Sequence, residues 1–236
     1  DNTTGSNEII AADVDPTTGA VSITVPTGAA PGVTYARFRY STDTGLAPTG
    51  PAGDGEVEDY RITIVDDAPS LRLVKRVTSV GGTAITTVVD DPGDANDDAG
   101  VHWPAGYLEG DIAADAAPFE PVEYTIYFLS DGNVDSDSVR ICDFIPANTT
   151  YVAGSLQISQ GVAAPSGLTD IVDTPVPDAG QNFGTTTPPG APCDPAPGAN
   201  TTGGVLVDVP GTLNPATAPG TPATSHGFIR FSVTVD

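Results

Sequence analysis

Short segments in which apolar and polar residues alternate recur along this chain of 236 residues. Val21, Ile23 and Val25 share one side of such a segment, and residues 33–40 alternate again. A period of two residues is typical of a half-buried β-strand, and nowhere does a period of 3.6 residues persist long enough to predict a helix. The 27 Gly and 23 Pro residues supply turns between the segments. The sequence therefore predicts an all-β fold.

Charge in the chain is sparse and one-sided. Asp and Glu number 31 against 8 Lys and Arg, which gives a net charge of −23. Such a chain repels nucleic acid and anionic membrane surfaces, and divalent cations are its natural counter-charge. The same acidity also serves solubility alone. No apolar stretch approaches the ~20 residues that span a bilayer, so we expect no membrane insertion.

The start of the chain and its cysteines indicate a secreted protein. The chain contains no Met and no signal peptide, so we expect Asp1 to follow a cut in a longer precursor. Cys142 and Cys193 suit one disulfide in an oxidising compartment, with two free thiols as the alternative. The sequence therefore predicts an extracellular or cell-surface location.

Three motifs follow one another before residue 61. They are Tyr35-Ala36-Arg37-Phe38-Arg39-Tyr40-Ser41-Thr42, Leu46-Ala47-Pro48-Thr49-Gly50 and Asp54-Gly55-Glu56-Val57-Glu58-Asp59-Tyr60. Together they resemble the end of the GEVED domain of large bacterial surface proteins. The resemblance implies an earlier strand that this chain lacks. We therefore expect residues 1–67 to form an incomplete β module. Either the missing strand lies in a removed or unsequenced portion of the chain, or a neighbouring subunit supplies it to the open sheet edge.

Four further segments succeed one another in residues 68–236. They are 71–77, 122–132, 139–152 and 228–235. Their order and spacing resemble the immunoglobulin-like repeat catalogued as domain of unknown function eleven, most closely in its cyanobacterial form. The resemblance implies a second β-sandwich in tandem with the first module. Insertions at 90–121 and 160–203 separate it from a minimal sandwich.

An acidic run within the first insertion is the strongest candidate for a ligand site. Ca²⁺ takes roughly six to eight oxygen ligands from flexible loops of this kind. A solvated acidic loop is the alternative, because the run lacks the closing Glu of an EF-hand. Glu109, Asp111 and Asp115 would add ligands from the far side of the insertion. The predicted calcium ligands are Asp90, Asp91, Asp94, Asn96, Asp97 and Asp98.

A second acidic cluster lies in the GEVED-like motif. Glu56 and Glu58 share a strand face, so their repulsion needs a metal ion or a basic partner. Arg37 and Arg39, on one face of the preceding strand, are favoured over a metal ion. The predicted metal or ion-pair cluster comprises Asp54, Glu56, Glu58, Asp59, Arg37 and Arg39.

Catalysis finds little support in the sequence. The two histidines, His102 and His226, belong to no metal motif, and neither cysteine stands in a nucleophile motif. Phosphate-binding and dinucleotide-binding fingerprints are also missing from the sequence. The chain is therefore predicted not to be an enzyme.

The favoured hypothesis is a structural subunit of an extracellular fibre, filament or sheath. Copies would assemble head to tail by strand complementation and be stiffened by calcium, with residues 1–12 and 228–235 as candidates for the exchanged strand. A passive spacer repeat is one alternative. Another is an adhesin that binds a glycan or a surface protein through aromatic residues of the insertions. Those aromatic residues are Trp103, Tyr107, Phe119 and Phe183.

Overall fold

A computed structural model gives the fold of the chain, and its regular structure is almost entirely antiparallel β-sheet. The prediction of an all-β fold is confirmed. The chain divides into two compact units, Asp1–Asp66 and Asp67–Asp236. The structure describes residues 11–14, 24–25, 29–65, 67–89, 102–162, 168–170, 179–185, 193 and 201–236.

The described part of the first unit is built on one antiparallel hairpin. Strand β1 (Gly32–Tyr40) pairs with β2 (Glu56–Ile64) along its whole length, from Gly32 opposite Ile64 to Tyr40 opposite Glu56. β2 begins earlier than the apolar pattern predicts, because the acidic residues of the GEVED-like motif are themselves in the strand. The strand predicted at 20–25 lies mostly outside the described residues.

The described residues of the second unit form ten strands and a short 3-10 helix at Ala223–Ser225. Two strands, β9 and β10, fall within the insertion predicted at 160–203, so this insertion is not loop alone. The strands are β3 (Leu71–Val80), β4 (Thr83–Ala84), β5 (Pro121–Ser130), β6 (Arg140–Phe144), β7 (Thr149–Tyr151), β8 (Gln157–Gln160), β9 (Thr169–Asp170), β10 (Gly180–Phe183), β11 (Gly204–Asp208) and β12 (His226–Val235).

These strands form two sheets, which share the main hydrophobic core. The larger sheet has the order β4-β3-β5-β12-β8-β9, with β7 also on β12, and the smaller has the order β10-β11-β6. The core draws Ile126, Phe128 and Phe231 from the larger sheet and Ile141 and Val207 from the smaller. Side chains of the two sheets therefore meet in one interior, as in a β-sandwich.

Strand β12 occupies the middle of the larger sheet. It pairs with β5 from His226 to Thr234, while β8 and β7 pair with its other edge. Both edges of β12 are therefore used within the unit. Residues 228–235, one of the two candidates for the exchanged strand, are thus already paired within their own unit.

A second cluster covers the opposite face of the larger sheet. Tyr107 and Leu108, from the insertion at 90–121, pack on Val74, Tyr127 and Phe228. The Tyr107 hydroxyl donates a hydrogen bond to the Val162 carbonyl at 2.8 Å, and the Tyr127 hydroxyl donates one to the Glu109 carbonyl at 2.8 Å. Burial raises the pKa of the Tyr127 hydroxyl to about 12. The later part of this insertion is thus a packed layer.

Cys142 and Cys193 form a disulfide that links β6 to the second insertion. Their Cα atoms are 5.6 Å apart, within the usual range for a disulfide. Cys193 is buried and packs with Phe183 and Leu206, while Cys142 is partly buried beside them. The bond therefore ties the insertion to the outer side of the smaller sheet.

Removing this disulfide is expected to destabilise the second unit. Replacing both cysteines with alanine opens the loop that the bond closes, which raises the conformational entropy of the unfolded chain. The chain-entropy account gives a loss of about 4 kcal/mol in the free energy of unfolding. Urea unfolding followed by the fluorescence of Trp103 measures the loss. An unchanged midpoint and slope in the double variant would contradict the expectation.

Gly227 is expected to tolerate no larger residue. A Cβ at this position would lie 2.3 Å from both the Phe128 ring and the Ser159 carbonyl oxygen. Gly227→Ala should lower the free energy of unfolding by about 1–3 kcal/mol, because it overpacks the centre of the sheet. Gly184→Ala, with no atom within 4 Å of the new Cβ, is the matched control. Equal melting curves for the two variants would refute this account.

Candidate functional site

The register of the hairpin decides which charged residues of the first unit can meet. Asp59 lies opposite Arg37, and Val57 lies opposite Arg39. Glu58 lies opposite Phe38, so Glu58 and Glu56 project from the other face of the ribbon. The hypothesis that the two arginines compensate Glu56 and Glu58 is therefore wrong, because the pleat separates them.

Arg37 and Asp59 form a two-pronged ion pair on one face of the ribbon. The Arg37 Nε and Nη2 atoms donate hydrogen bonds to the Asp59 Oδ1 and Oδ2 atoms, both at 2.8 Å. This bond lowers the pKa of the Asp59 carboxyl and raises the pKa of Arg37. Both side chains are about half exposed, so the pair fixes geometry more than it adds stability.

Arg39 stabilises the long connection between the two strands. Its Nη1 atom donates to the Ala47 carbonyl at 2.5 Å, and its Nη2 atom donates to the Gly50 carbonyl at 2.8 Å. The five-donor guanidinium suits this role, because loop carbonyls have no strand partners of their own. The arginine therefore holds the loop rather than a carboxylate.

Asp54 holds the same loop from its other end. Its Oδ1 atom accepts hydrogen bonds from the Ser41 hydroxyl at 2.8 Å and the Thr42 amide at 2.9 Å, and its Oδ2 atom accepts one from the Thr42 hydroxyl at 2.6 Å. The bonds from Thr42 and Ser41 lower the pKa of the Asp54 carboxyl. Asp54 therefore serves as an acceptor for the loop, and this role occupies both of its oxygens.

Gly55 makes the close approach of the two chain segments possible. Its φ of 96° suits glycine, and a Cβ would lie 1.7 Å from the Tyr40 carbonyl oxygen. The neighbouring Glu58 accepts a hydrogen bond from the Tyr60 hydroxyl, which raises the pKa of Tyr60. The residues of the acidic motif thus have three different roles. Asp54 and Gly55 hold the loop, Asp59 forms an ion pair, and Glu58 contacts Tyr60.

Sequence reasoning missed the contacts that hold the loop between β1 and β2. It grouped the charges of Asp54 and Arg39 with their sequence neighbours, whereas both side chains bind polar atoms across the loop. One signal was available: the Ser41-Thr42 pair at the end of β1 offers hydroxyl donors to an Asp at the start of β2. The loop clamp, defined here as Arg39, Asp54 and Gly55, shapes one side of the ribbon's end.

The ribbon face that carries Glu56 and Glu58 also exposes four large apolar side chains, and we name it the hairpin face. Phe38, Tyr40, Tyr60 and Ile62 lie on this side of the two strands and are 45%, 61%, 51% and 37% exposed. The Phe38 and Tyr60 rings meet edge to face with centroids 5.5 Å apart. A cavity of about 310 Å³ lies at the loop end of the ribbon, where the loop clamp forms part of its lining.

The predicted calcium ligands are not among the described residues. Asp90, Asp91, Asp94, Asn96, Asp97 and Asp98 all lie in the range 90–101, outside the described part of the chain. Asp111, which was expected to assist them, exchanges backbone hydrogen bonds with Val77 and accepts one from the Ala113 amide. Within the described ranges, no three His, Cys, Asp or Glu side chains are grouped closely enough to hold a metal ion.

The loop clamp gives the first unit a dependence on pH. The folded-state pKa of Asp54 lies below the ordinary value of 3.8, so its contribution is present above that value and is lost as the pH falls through the lowered pKa. We expect Asp54→Ala to lower the hydrogen-exchange protection factor of the Thr42 amide at neutral pH. Acidification should lower the same factor in the wild type, once the observed rate is divided by the intrinsic exchange rate at each pH. Glu56→Gln is the control, and equal protection in both variants would contradict the clamp.

Comparison with known proteins identifies part of the chain. Residues 2–63 match the family model of the GEVED domain, which covers most of the first unit. No curated protein and no solved structure matches the chain significantly. Among the described residues, no helix is long and apolar enough to cross a membrane. The GEVED resemblance of the first unit is therefore confirmed by an independent match.

Proposed function

We propose that this protein is a non-enzymatic structural subunit of an extracellular bacterial surface fibre, filament or sheath. Subunits would join head to tail, with a β-strand of one chain completing the sheet of the first unit in the next. The observation that carries this proposal is the hairpin face. Its apolar side chains are exposed in a protein whose second unit buries similar residues efficiently.

The hairpin is a good acceptor for another strand. A two-stranded ribbon is at best marginally stable alone, and each added strand satisfies backbone groups and covers side chains. The loop clamp holds the two strands in register without occupying the hairpin face. A partner strand would therefore meet an ordered template and lose little entropy on binding.

Residues 1–12 are the remaining candidate for the exchanged strand. Residues 228–235 have partners on both edges within the second unit, so their removal would cost far more than a new contact returns. Residues 1–10 lie outside the described part of the chain. Their position at the start of the first unit would place the donor segment ahead of the hairpin that accepts it.

The proposed location follows from chemistry. A disulfide persists in oxidising surroundings, and the GEVED match is to a domain that we associate with large bacterial surface proteins. The second unit, with its shared core between two sheets, fits the immunoglobulin-like repeat that its sequence resembles. That resemblance also favours a cyanobacterial source.

Calcium is the proposed counter-ion of the assembly. Head-to-tail contact between copies of a chain with net charge −23 requires positive charge between them. The oxygen-rich run at 90–98 offers ligands of the kind that Ca²⁺ prefers. Bound calcium would therefore both stiffen the subunit and lower its repulsion from the next one.

The alternative of a glycan-binding adhesin is less well supported. Tyr107 and Phe183 are only 4% and 5% exposed, and Trp103 packs beside Tyr107. Phe119 alone among these four aromatic residues is exposed, at 81%. One exposed ring is a poor platform for a sugar, whereas a passive spacer repeat would need no hairpin face at all.

Electron microscopy of the full chain tests the proposal. We expect filaments in calcium that fray in EGTA, and Phe38→Ser should abolish them because it removes the centre of the hairpin face. Phe119→Ser, an equal change at an exposed site in the second unit, should leave them intact. A thermal melt of each variant confirms that it is folded.

Two outcomes would count against parts of this proposal. Monodisperse particles in calcium and in EGTA would overturn polymerisation and leave the adhesin or the spacer. Filaments that are indifferent to EGTA would retain the polymer but remove calcium from its assembly.

A further inference from the structure

The single lysine of the chain lies on the larger sheet of the second unit, where its side chain is 34% exposed. Lys75 is on β3 opposite Ile126, a residue of the main core, so its side chain lies on the core side of the larger sheet. Its Nζ atom is 4.5 Å from the centroid of the Tyr124 ring and 5.6 Å from that of the Phe231 ring. Two aromatic rings therefore frame the amine.

A carboxylate from the other sheet meets this amine. Asp143 is on β6, between the core residues Ile141 and Ile145, and its Oδ2 atom lies 2.5 Å from the Lys75 Nζ atom. This oxygen is shielded from solvent, and no hydrogen bond to it from another described residue accompanies the ion pair. The amine is thus the partner of a desolvated oxygen, and the contact joins the two sheets.

The Tyr124 ring covers one side of the amine, whose Nζ atom lies 4.5 Å from the ring centroid. Burial raises the pKa of the Tyr124 hydroxyl, and the negative charge of Asp143 raises it further. The phenol therefore keeps its proton at neutral pH, and the amine lies against a neutral ring.

We propose that Lys75 and Asp143 condense to an intramolecular amide bond between the two sheets. A proton first passes from the ammonium group to a carboxylate oxygen, which leaves a neutral amine beside a neutral acid. The amine nitrogen then forms a bond to the Asp143 Cγ atom, and one Cγ–O bond breaks. The departing oxygen takes a second proton from the nitrogen and leaves as water. The step consumes no oxidant, reductant or other co-reactant.

The structure supplies the two conditions that such a condensation needs. Fixing the amine against the carboxyl replaces an encounter in solution by a permanent contact, which is the source of high effective concentrations. The Tyr124 and Phe231 rings cover one side of the amine, and the Asp143 Oδ2 atom is itself shielded from solvent, which limits the access of water to the reacting oxygen. The bond would join the first strand of the second unit to the smaller sheet, independently of whether the protein forms filaments.

The intact mass of the full chain tests the proposal. We expect the wild type to be lighter than its disulfide-bonded sequence by the mass of one water molecule. Lys75→Arg keeps the positive charge but cannot form this amide, so it should show its full mass. A wild type at its full mass overturns the proposal, and so does a Lys75→Arg variant that still lacks one water.

Tryptic digestion after reduction locates the bond. An acylated Lys75 resists trypsin, so residues 73–76 should appear joined to residues 141–230 as one branched product. This result separates the amide from cyclisation at an Asp-Gly sequence such as Asp131-Gly132, which also loses water. Recovery of residues 73–75 as a free tripeptide would refute the bond directly.

Discussion

The pairing of β12 on both of its edges is the constraint on which the second unit depends. This last strand of the chain joins β5 to β7 and β8, and it contributes Ile229, Phe231 and Val233 to the core. The larger sheet cannot form completely until the last strand of the chain has paired with its neighbours. The fold is therefore dominated by contacts between distant parts of the sequence, which are slow to form but cooperative once made.

Seven of the eight basic residues make identified polar contacts within this acidic chain. Five of them meet carboxylates, through the pairs Arg37–Asp59, Arg72–Asp131, Lys75–Asp143, Arg140–Asp208 and Arg230–Glu123. Arg39 and Arg76 instead donate to backbone carbonyls. The cations thus stabilise local geometry, and they leave most of the negative charge to solvent or to metal ions.

The two units use their apolar residues differently. In the second unit, an insertion folds back over the larger sheet and a disulfide holds another insertion against the smaller one. In the first unit, the hairpin face is exposed while its connecting loop is held by Arg39 and Asp54. An added strand would therefore bury the most apolar surface at the first unit, because the described hairpin is ordered and its hairpin face is exposed.

The sequence by itself determined the all-β class, the GEVED-like unit and the cysteine pair, because period-two patterns, turn residues and residue order are local properties. Only the tertiary structure decided that Glu56 and Glu58 face away from Arg37 and Arg39, since strand register, and not spacing, sets the faces. It also decided that β12 lies at the centre of a sheet, and that Lys75 reaches Asp143 across the core. Contacts of these kinds join residues far apart in the chain, so no local pattern contains them.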